Sequence, residues 1–273
     1  MQASQYLTIT VKAAIQAGAA ALEVYEQDFE VEEKQDHSPL TLADRRAHDI
    51  ISARLADTGI FLLSEEGRDI SYEERRQWQH LWIVDPLDGT KEFVKKNGEF
   101  TINIALVSGG RPVLGVVYVP VKDLLYFAAR DLGAWRIEGA SAAGSHADTV
   151  RGLLATARRL PLADFEDRVY TIMGSRSHAS EELETFVEQK RREHGEVDFI
   201  SAGSSLKFCL VAEGRADMYP RTGPTMEWDT AAGQAVVEQA GGVVVEFETG
   251  VALRYNKENL TNPWFIVYKQ NKD

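Results

Sequence analysis

Apolar positions along this chain recur at two different periods, and the switches between them predict its elements. Residues 4–27 repeat apolar positions at helical spacing in an Ala-rich stretch, which predicts an amphipathic helix. KQDHSPLT (34–41) is a polar break containing a proline. Thr41 is placed to cap a second helix, TLADRRAHDIISARLAD, which Gly59 ends. FLLS (61–64) and LWIVD (81–85) are short apolar runs suited to buried strands. The charged EEGRDISYEERRQWQ between them reads as a surface loop or short helix. From 100 to 137 the runs FTINIALV, VLGVVYVP, LLYFAAR and GAWRIE are strand-like, with a hairpin turn at SGGRP (108–112). Residues 139–152 are small and polar and read as a loop. Beyond them strand and helix alternate. VYTIMG, VDFIS, ADMYP, VVVEF and WFIVY are strands, and the helices fall at about 180–193, 204–213 and 227–240. This alternation predicts an α/β (α+β) layered chain, with an N-terminal half at 1–140 and a C-terminal half at 141–273.

Composition narrows the function. With 273 residues, 44% of them hydrophobic, the chain is long enough to bury roughly three quarters of its unfolded surface. The formal net charge is −12, from 42 acidic and 30 basic residues. Nucleic-acid polymers, which need a basic face, are therefore poor partners. Cys209 is the only cysteine, so the chain can build neither an internal disulfide nor a thiolate zinc site. The N-terminus lacks the pattern of a signal peptide, Lys12 and Glu23 interrupt its apolar stretch, and no transmembrane run is expected. The expected location is cytoplasmic, with peripheral association at the inner membrane left open. A homodimer is left open as well.

The candidate chemistry is acidic. In WIVDPLDGT (82–90) an apolar strand delivers Asp85 at its end. Pro86 stops the ladder and Gly89 permits a tight return. Asp85 and Asp88 can then converge, with the Leu87 carbonyl between them, as hard oxygen ligands suited to Mg²⁺. Glu65 and Glu66 follow another strand end, Asp229 opens a helix, and Asp44 sits one turn into the second helix. Taken singly, these are a turn, a solvated SEEG, a helix-start acid and a surface acid. Taken together they would repel by about 3 kcal/mol per pair at ~5 Å and an effective dielectric of ~20. Such a cluster needs divalent cations, which would polarise phosphoryl oxygens and lower the pKa of a water. Thr90 is placed to orient that water and Glu65 to accept its proton.

LSEEG, WIVDPLDGTKEF and WDTAAGQAVVEQAGG, in this order, resemble the signature of the lithium-sensitive, Mg²⁺-dependent phosphatases of the inositol monophosphatase superfamily. The resemblance spans about Lys34 to Gly242. It implies a layered αβαβα sandwich with two or three Mg²⁺ ions at the junction of its halves. It implies metal ligation by Glu65, Asp85, the Leu87 carbonyl, Asp88 and Asp229. Asp44, Glu65 and Thr90 would serve the nucleophilic water, while Gly89, Thr90 and Asp229 would contact the substrate. DHSPLTLAD, GSRSH (174–178) and GSSLKFCLVAEGRADMYPRTGPTMEWDTAAG (203–233) resemble the 3′(2′),5′-bisphosphate nucleotidase branch. There, positions matching His178, Ser204, Lys207 and Arg221 contact the nucleotide. The implied reaction converts adenosine 3′,5′-bisphosphate to AMP by direct attack of a metal-activated water.

The residues themselves agree with a second phosphate site. Lys207 offers a point charge, Arg221 a bidentate fork, and the helix near Ser204 its first N–H groups. Two other readings remain open at this point: an inositol phosphate or sugar bisphosphate as substrate, and a non-catalytic sensor of a phosphate ligand.

Overall fold

The computed structural model describes residues 2–27, 31–33, 39–144, 148–162, 168–174 and 181–269. A 3₁₀ turn leads into helix α1 (Leu7–Tyr25), which buries Leu7, Val11, Ala14, Ala17 and Ala21 at three- and four-residue spacing. Strands β1 (Val31–Glu33) and β2 (Pro39–Thr41) pair antiparallel. Helix α2 (Leu42–Ala56) starts on a capping box. The Thr41 hydroxyl accepts from the Ala43 N–H at 3.2 Å, and Asp44 Oδ2 accepts from the Thr41 N–H at 2.8 Å.

Next come strand β3 (Phe61–Ser64), helix α3 (Tyr72–Arg75), strand β4 (His80–Asp88) and helix α4 (Thr90–Val94). Strands β5 (Thr101–Ser108), β6 (Arg111–Val119), β7 (Leu124–Ala129) and β8 (Gly133–Glu138) follow. Helices α5 (Ala140–Ala143) and α6 (Val150–Thr156) then lead to strand β9 (Arg158–Arg159). Strands β3 to β9 form one seven-stranded sheet in chain order. Only β3 and β4 pair in parallel; the other neighbours are antiparallel.

The remaining elements are β10 (Tyr170–Gly174), α7 (Glu181–His194), β11 (Val197–Ser201), α8 (Leu206–Glu213) and β12 (Met218–Arg221). Helix α9 (Glu227–Gln239) and strands β13 (Val243–Glu246) and β14 (Phe265–Tyr268) complete the set. These five strands form a second sheet in the order β11-β10-β12-β14-β13.

Period-two alternation assigns the larger sheet to two cores. Trp82 and Val84 of β4, with Ile102, Ile104 and Leu106 of β5, pack with α1 and α2. Leu81, Ile83, Ala105 and Val107 pack on the opposite face with α8, α9 and the smaller sheet. Strands covered on both faces read as unbroken apolar runs. Val187 of α7 packs on the far face of the smaller sheet, against Ile172, Met218 and Ile266. The layers are therefore α1/α2, the seven-stranded sheet, α8/α9, the five-stranded sheet and α7, the expected αβαβα sandwich. Helix α9 presses closely on β6. A Cβ at Gly115 would run into the Ala232 carbonyl, so only glycine fits there.

Three details differ from the sequence expectation. Residues 139–152, expected as a loop, hold α5 and the start of α6. The Thr149 hydroxyl accepts from the Gly152 N–H at 3.0 Å and caps α6, a signal hidden among small polar residues. The helix expected from Ser204 begins at Leu206, because Ser204 holds φ +44° and breaks the helical path. Finally, the stretch Ala3–Tyr25 is long and apolar enough to cross a membrane by length and composition. In the fold half of its most apolar window is buried, as expected of an Ala-rich helix packed on a sheet.

Candidate active site

The site is built where β4 ends. In a regular strand Asp85 and Asp88, three positions apart, would project to opposite faces. The pairing with β5 shifts between them: Asp85 lies opposite Asn103, and Asp88 opposite Thr101. The extra residue is a bulge, and bulges re-aim side chains. Asp85 Oδ1 accepts from the Leu87 N–H at 3.0 Å across this turn. Gly89 takes φ +91°, a left-handed conformation with little cost for glycine, and from it α4 starts at Thr90. The Thr90 hydroxyl stands 3.4 Å from both the Leu87 carbonyl and Asp44 Oδ1.

The other carboxylates arrive from separate elements. Glu65 follows β3, and its N–H donates to the Val84 carbonyl at 3.1 Å, extending the parallel pairing by a residue. Asp229 lies in the first turn of α9, where its Oδ2 accepts from the Met226 N–H at 2.9 Å. These four groups act on one another electrostatically. Burial pushes the Asp85 carboxyl well above the usual carboxylate range, and the charges of Glu65, Asp88 and Asp229 push it further. Burial raises Asp229 as well, with Asp88 and then Glu65 adding to the effect; the Met226 N–H and Arg221 oppose it. The structure thus brings together Glu65, Asp85, Asp88 and Asp229, and sets Asp44 and Thr90 beside them.

An all-oxygen donor set under mutual repulsion fits a hard divalent cation. Among the described residues no group of three or more His, Cys, Asp or Glu is placed to hold a metal ion by itself. Mg²⁺ usually keeps several waters and takes one or two carboxylates together with substrate phosphate.

A cleft of about 650 Å³ opens from this point. Asp88, Gly89, Thr90, Ser204, Lys207, Tyr219, Arg221 and Asp229 line it. Lys207 is not a solvated cation. It is 6% exposed, its ammonium donates to the Ser204 carbonyl at 2.8 Å and lies over the Tyr219 ring at 5.4 Å. Burial brings its pKa down to about 8, with Arg221 adding to the shift and Asp88 opposing it. Arg221 donates from Nη2 to the Pro224 carbonyl at 3.0 Å. Its buried Nε and the buried Ser204 Oγ have no hydrogen-bond partner among the described residues. Unpaired buried donors of this kind call for a ligand or water.

The expectation that the helix near Ser204 offers free N–H groups needs correction. The Gly203 N–H donates to Glu99 Oε2 at 2.8 Å and the Ser205 N–H to Asp88 Oδ2 at 2.6 Å, so both are already engaged within the protein. His178 lies outside the described residues. Sequence reasoning passed over Asn103, Ser205 and Tyr219, and the cleft-lining Lys91 and Lys95. Asn103 left a trace: it is a polar residue inside the apolar run FTINIALV. Lys91 and Lys95 left another in their four-residue spacing directly after DGT.

The fold and this site define a phosphatase class, and comparison with known proteins specifies it. The chain matches the inositol monophosphatase family over residues 2–269. It is 44% identical over 256 residues to the 3′(2′),5′-bisphosphate nucleotidase CysQ of Salmonella typhimurium, covering 92% of this chain and 94% of that protein. It is 46% identical over 257 residues to the protein of the same name from Shigella flexneri, with the same coverage. The crystal structure of CysQ from Bacteroides thetaiotaomicron, described as a bacterial member of the inositol monophosphatase family, superposes with a TM-score of 0.91. It is 48% identical and covers 98% of both chains. The chain belongs to the inositol monophosphatase family. It is accordingly a phosphatase, and the family is metal-dependent, typically on Mg²⁺.

Proposed function

We propose that the chain hydrolyses the 3′-phosphate of adenosine 3′,5′-bisphosphate to give AMP and phosphate. The observation that carries this reading is a single cleft lined both by the mutually repelling Asp88 and Asp229 and by the cations Lys207 and Arg221. A substrate with two phosphates suits both groups. The activity named for the CysQ relatives supports the same substrate.

In this reading Glu65, Asp85, the Leu87 carbonyl, Asp88 and Asp229 hold two or three Mg²⁺ ions. Bound there, Mg²⁺ would neutralise charge on the phosphoryl oxygens and lower the pKa of water in the site. Thr90, set between Asp44 and the Leu87 carbonyl, orients the attacking water, and Glu65 accepts its proton. The bond from water oxygen to phosphorus forms as the bond to the 3′-oxygen breaks, and that oxygen takes up a proton and leaves as a hydroxyl. Gly89 and Thr90 present backbone groups to the scissile phosphate. Asp229 borders the substrate, and Ser204, Lys207, Arg221 and His178 hold the nucleotide and its second phosphate. The two halves of the chain meet at this site. A free nucleotide substrate fits a cytoplasmic location.

Purified protein with Mg²⁺, assayed side by side on adenosine 3′,5′-bisphosphate, inositol 1-phosphate and fructose 1,6-bisphosphate, tests the reading. The nucleotide is expected to lead in kcat/KM by at least about tenfold, the scale of one well-placed charged contact. Preference for inositol 1-phosphate or the sugar would replace it.

A further inference from the structure

With Asp88 as a metal ligand, as proposed above, the residue behind it sets that ligand's orientation. We propose that Ser205 is a positioning residue for the metal site, fixing Asp88 and the start of α9 from the N-cap of the helix that carries Lys207, next to Ser204.

Four donors converge on one oxygen of Asp88. The Ser205 N–H donates to Oδ2 at 2.6 Å and the Ser205 hydroxyl at 2.7 Å; Asn103 Nδ2 and Thr101 Oγ1 stand at 3.3 and 3.4 Å. Because all four fall on Oδ2, the carboxylate is held in one orientation, with Oδ1 left for a cation. The Ser205 hydroxyl also stands 2.7 Å from the Asp229 carbonyl and accepts from Asn103 Nδ2 at 2.9 Å. A hydroxyl has one hydrogen, so Asp88 Oδ2 and the Asp229 carbonyl share it. A carboxylate can only accept, which fixes the Asn103 amide with Nδ2 towards Asp88 and Ser205. Ser205 is 1% exposed and Asn103 1%, so bulk water does not compete for these bonds.

Ser205 therefore links the end of β4, the middle of β5 and the first turn of α9. Two carboxylate-bearing segments from opposite halves of the chain are held in register by one side chain. Pre-oriented ligands bind metal more tightly, and loss of such an outer partner typically costs 10–100-fold in affinity or activity. Ser204, its neighbour, has the opposite environment: its buried hydroxyl faces the cleft without a partner among the described residues. The pair SS in GSSLK divides the work, Ser204 towards substrate and Ser205 towards metal.

Calorimetric titration of the substrate-free protein with Mn²⁺ tests this. Asp88→Asn comes first, since wild-type Mn²⁺ affinity in that variant would remove the metal reading of Asp88 itself. Ser205→Ala deletes the hydroxyl and keeps the N–H bond. It is expected to raise the Mn²⁺ Kd about tenfold or more and to shift the Mg²⁺ concentration for half-maximal activity the same way. Ser204→Ala is expected to raise KM and leave the Mn²⁺ Kd unchanged. Asn103→Ala provides a second route. It should raise the Kd too, and the double variant should lose less than the product of the single effects, because the two residues share one network. Loss of Mn²⁺ binding in Asp88→Asn with a wild-type Kd in Ser205→Ala would overturn the proposal alone. A lowered melting temperature with an unmoved Kd would assign the hydroxyl to folding and overturn it as well, as would an equal shift in Ser204→Ala.

Discussion

Thr90 Oγ1 stands 3.4 Å from Asp44 Oδ1, although 46 positions separate them in the chain. The other oxygen of Asp44 belongs to the α2 cap, accepting from the Thr41 N–H at 2.8 Å and the Thr41 hydroxyl at 2.6 Å. One buried carboxylate thus starts a helix and backs the hydroxyl assigned to the attacking water. Thr90→Ala is expected to lower kcat by about 10²-fold or more, the lower end for a positioned proton-handling group, with KM changed little. Thr90→Ser should keep most of the rate. A kcat for Thr90→Ala within threefold of wild type, measured at saturating Mg²⁺, would remove the role.

The carboxylate cluster predicts how stability depends on pH without metal. The Asp85 and Asp229 carboxyls titrate above their unfolded values near ~3.9. Their contribution is fully present below the unfolded pKa and is lost as pH rises through the raised folded values, because there the native state binds more protons. Asp217 has the opposite sign. Hydrogen bonds from Lys269, the Thr171 N–H and Arg168 outweigh its burial and lower its pKa, so its contribution is lost as pH falls. The informative quantity is the difference between melting curves in chelator and in Mg²⁺. The gap should widen from mildly acidic to neutral pH, since a cation relieves only the cluster. A gap independent of pH would contradict the repulsion argument.

Much of this was readable from the residues, because the pattern and its physical cause were both local. The apolar run ending at Asp85, the proline after it and the glycine at 89 encode a turn, and the turn is there. The same holds for Thr41 as a cap and for strands that alternate onto two cores. What escaped depended on contacts between distant segments. Taken alone, Asp44 reads as an ordinary surface acid until Thr90 is brought against it. Lys207 reads as a surface cation until Tyr219 and α8 enclose it. Nothing local tells Ser205 from Ser204; their difference is a bulge in β4 and a turn of α9 on the other side of the site. The loop assigned to 139–152 failed for a different reason: short capped helices carry too few periodic positions to stand out.

Lys207 gives the reaction a basic limb. With its pKa brought down to about 8 by burial, the ammonium loses its charge in the free enzyme as pH rises past that value. If that charge holds the second phosphate, kcat/KM for adenosine 3′,5′-bisphosphate should fall above pH 8, towards tenfold per pH unit. Adenosine 3′-monophosphate, lacking that phosphate, should show a shallower limb. Lys207→Ala should raise KM for the bisphosphate selectively. Lys207→Arg, charged at every accessible pH, should flatten the limb even where it lowers the rate. The same limb for both substrates would place the titration on another group.

The junction between the sheets carries a second buried charge network, and it predicts a stability effect separate from catalysis. Glu213, at the end of α8, is 1% exposed and accepts the Tyr126 hydroxyl at 2.8 Å. Arg136 and Arg215 bring their Nε atoms to 2.9 Å from its two oxygens. Both contacts are ion pairs by distance, since neither the Arg136 Nε–H nor Glu213 Oε2 has a partner in hydrogen-bond geometry among the described residues. Tyr126 and Arg136 belong to the seven-stranded sheet, so Glu213 fastens the helix that carries Lys207 to that sheet. Glu213→Ala would leave Arg136, 8% exposed, with the exposed Glu138 at 2.7 Å as its remaining acidic partner, so the cost should stay below the ~3–5 kcal/mol of a fully unpaired buried charge. Glu213→Gln keeps the acceptor for Tyr126 and should lose less. The effect should appear as a lower urea midpoint at unchanged m-value, and the Glu213→Ala protein that remains folded should bind Mn²⁺ as wild type does. A wild-type midpoint for Glu213→Ala would show that this network contributes nothing to the fold.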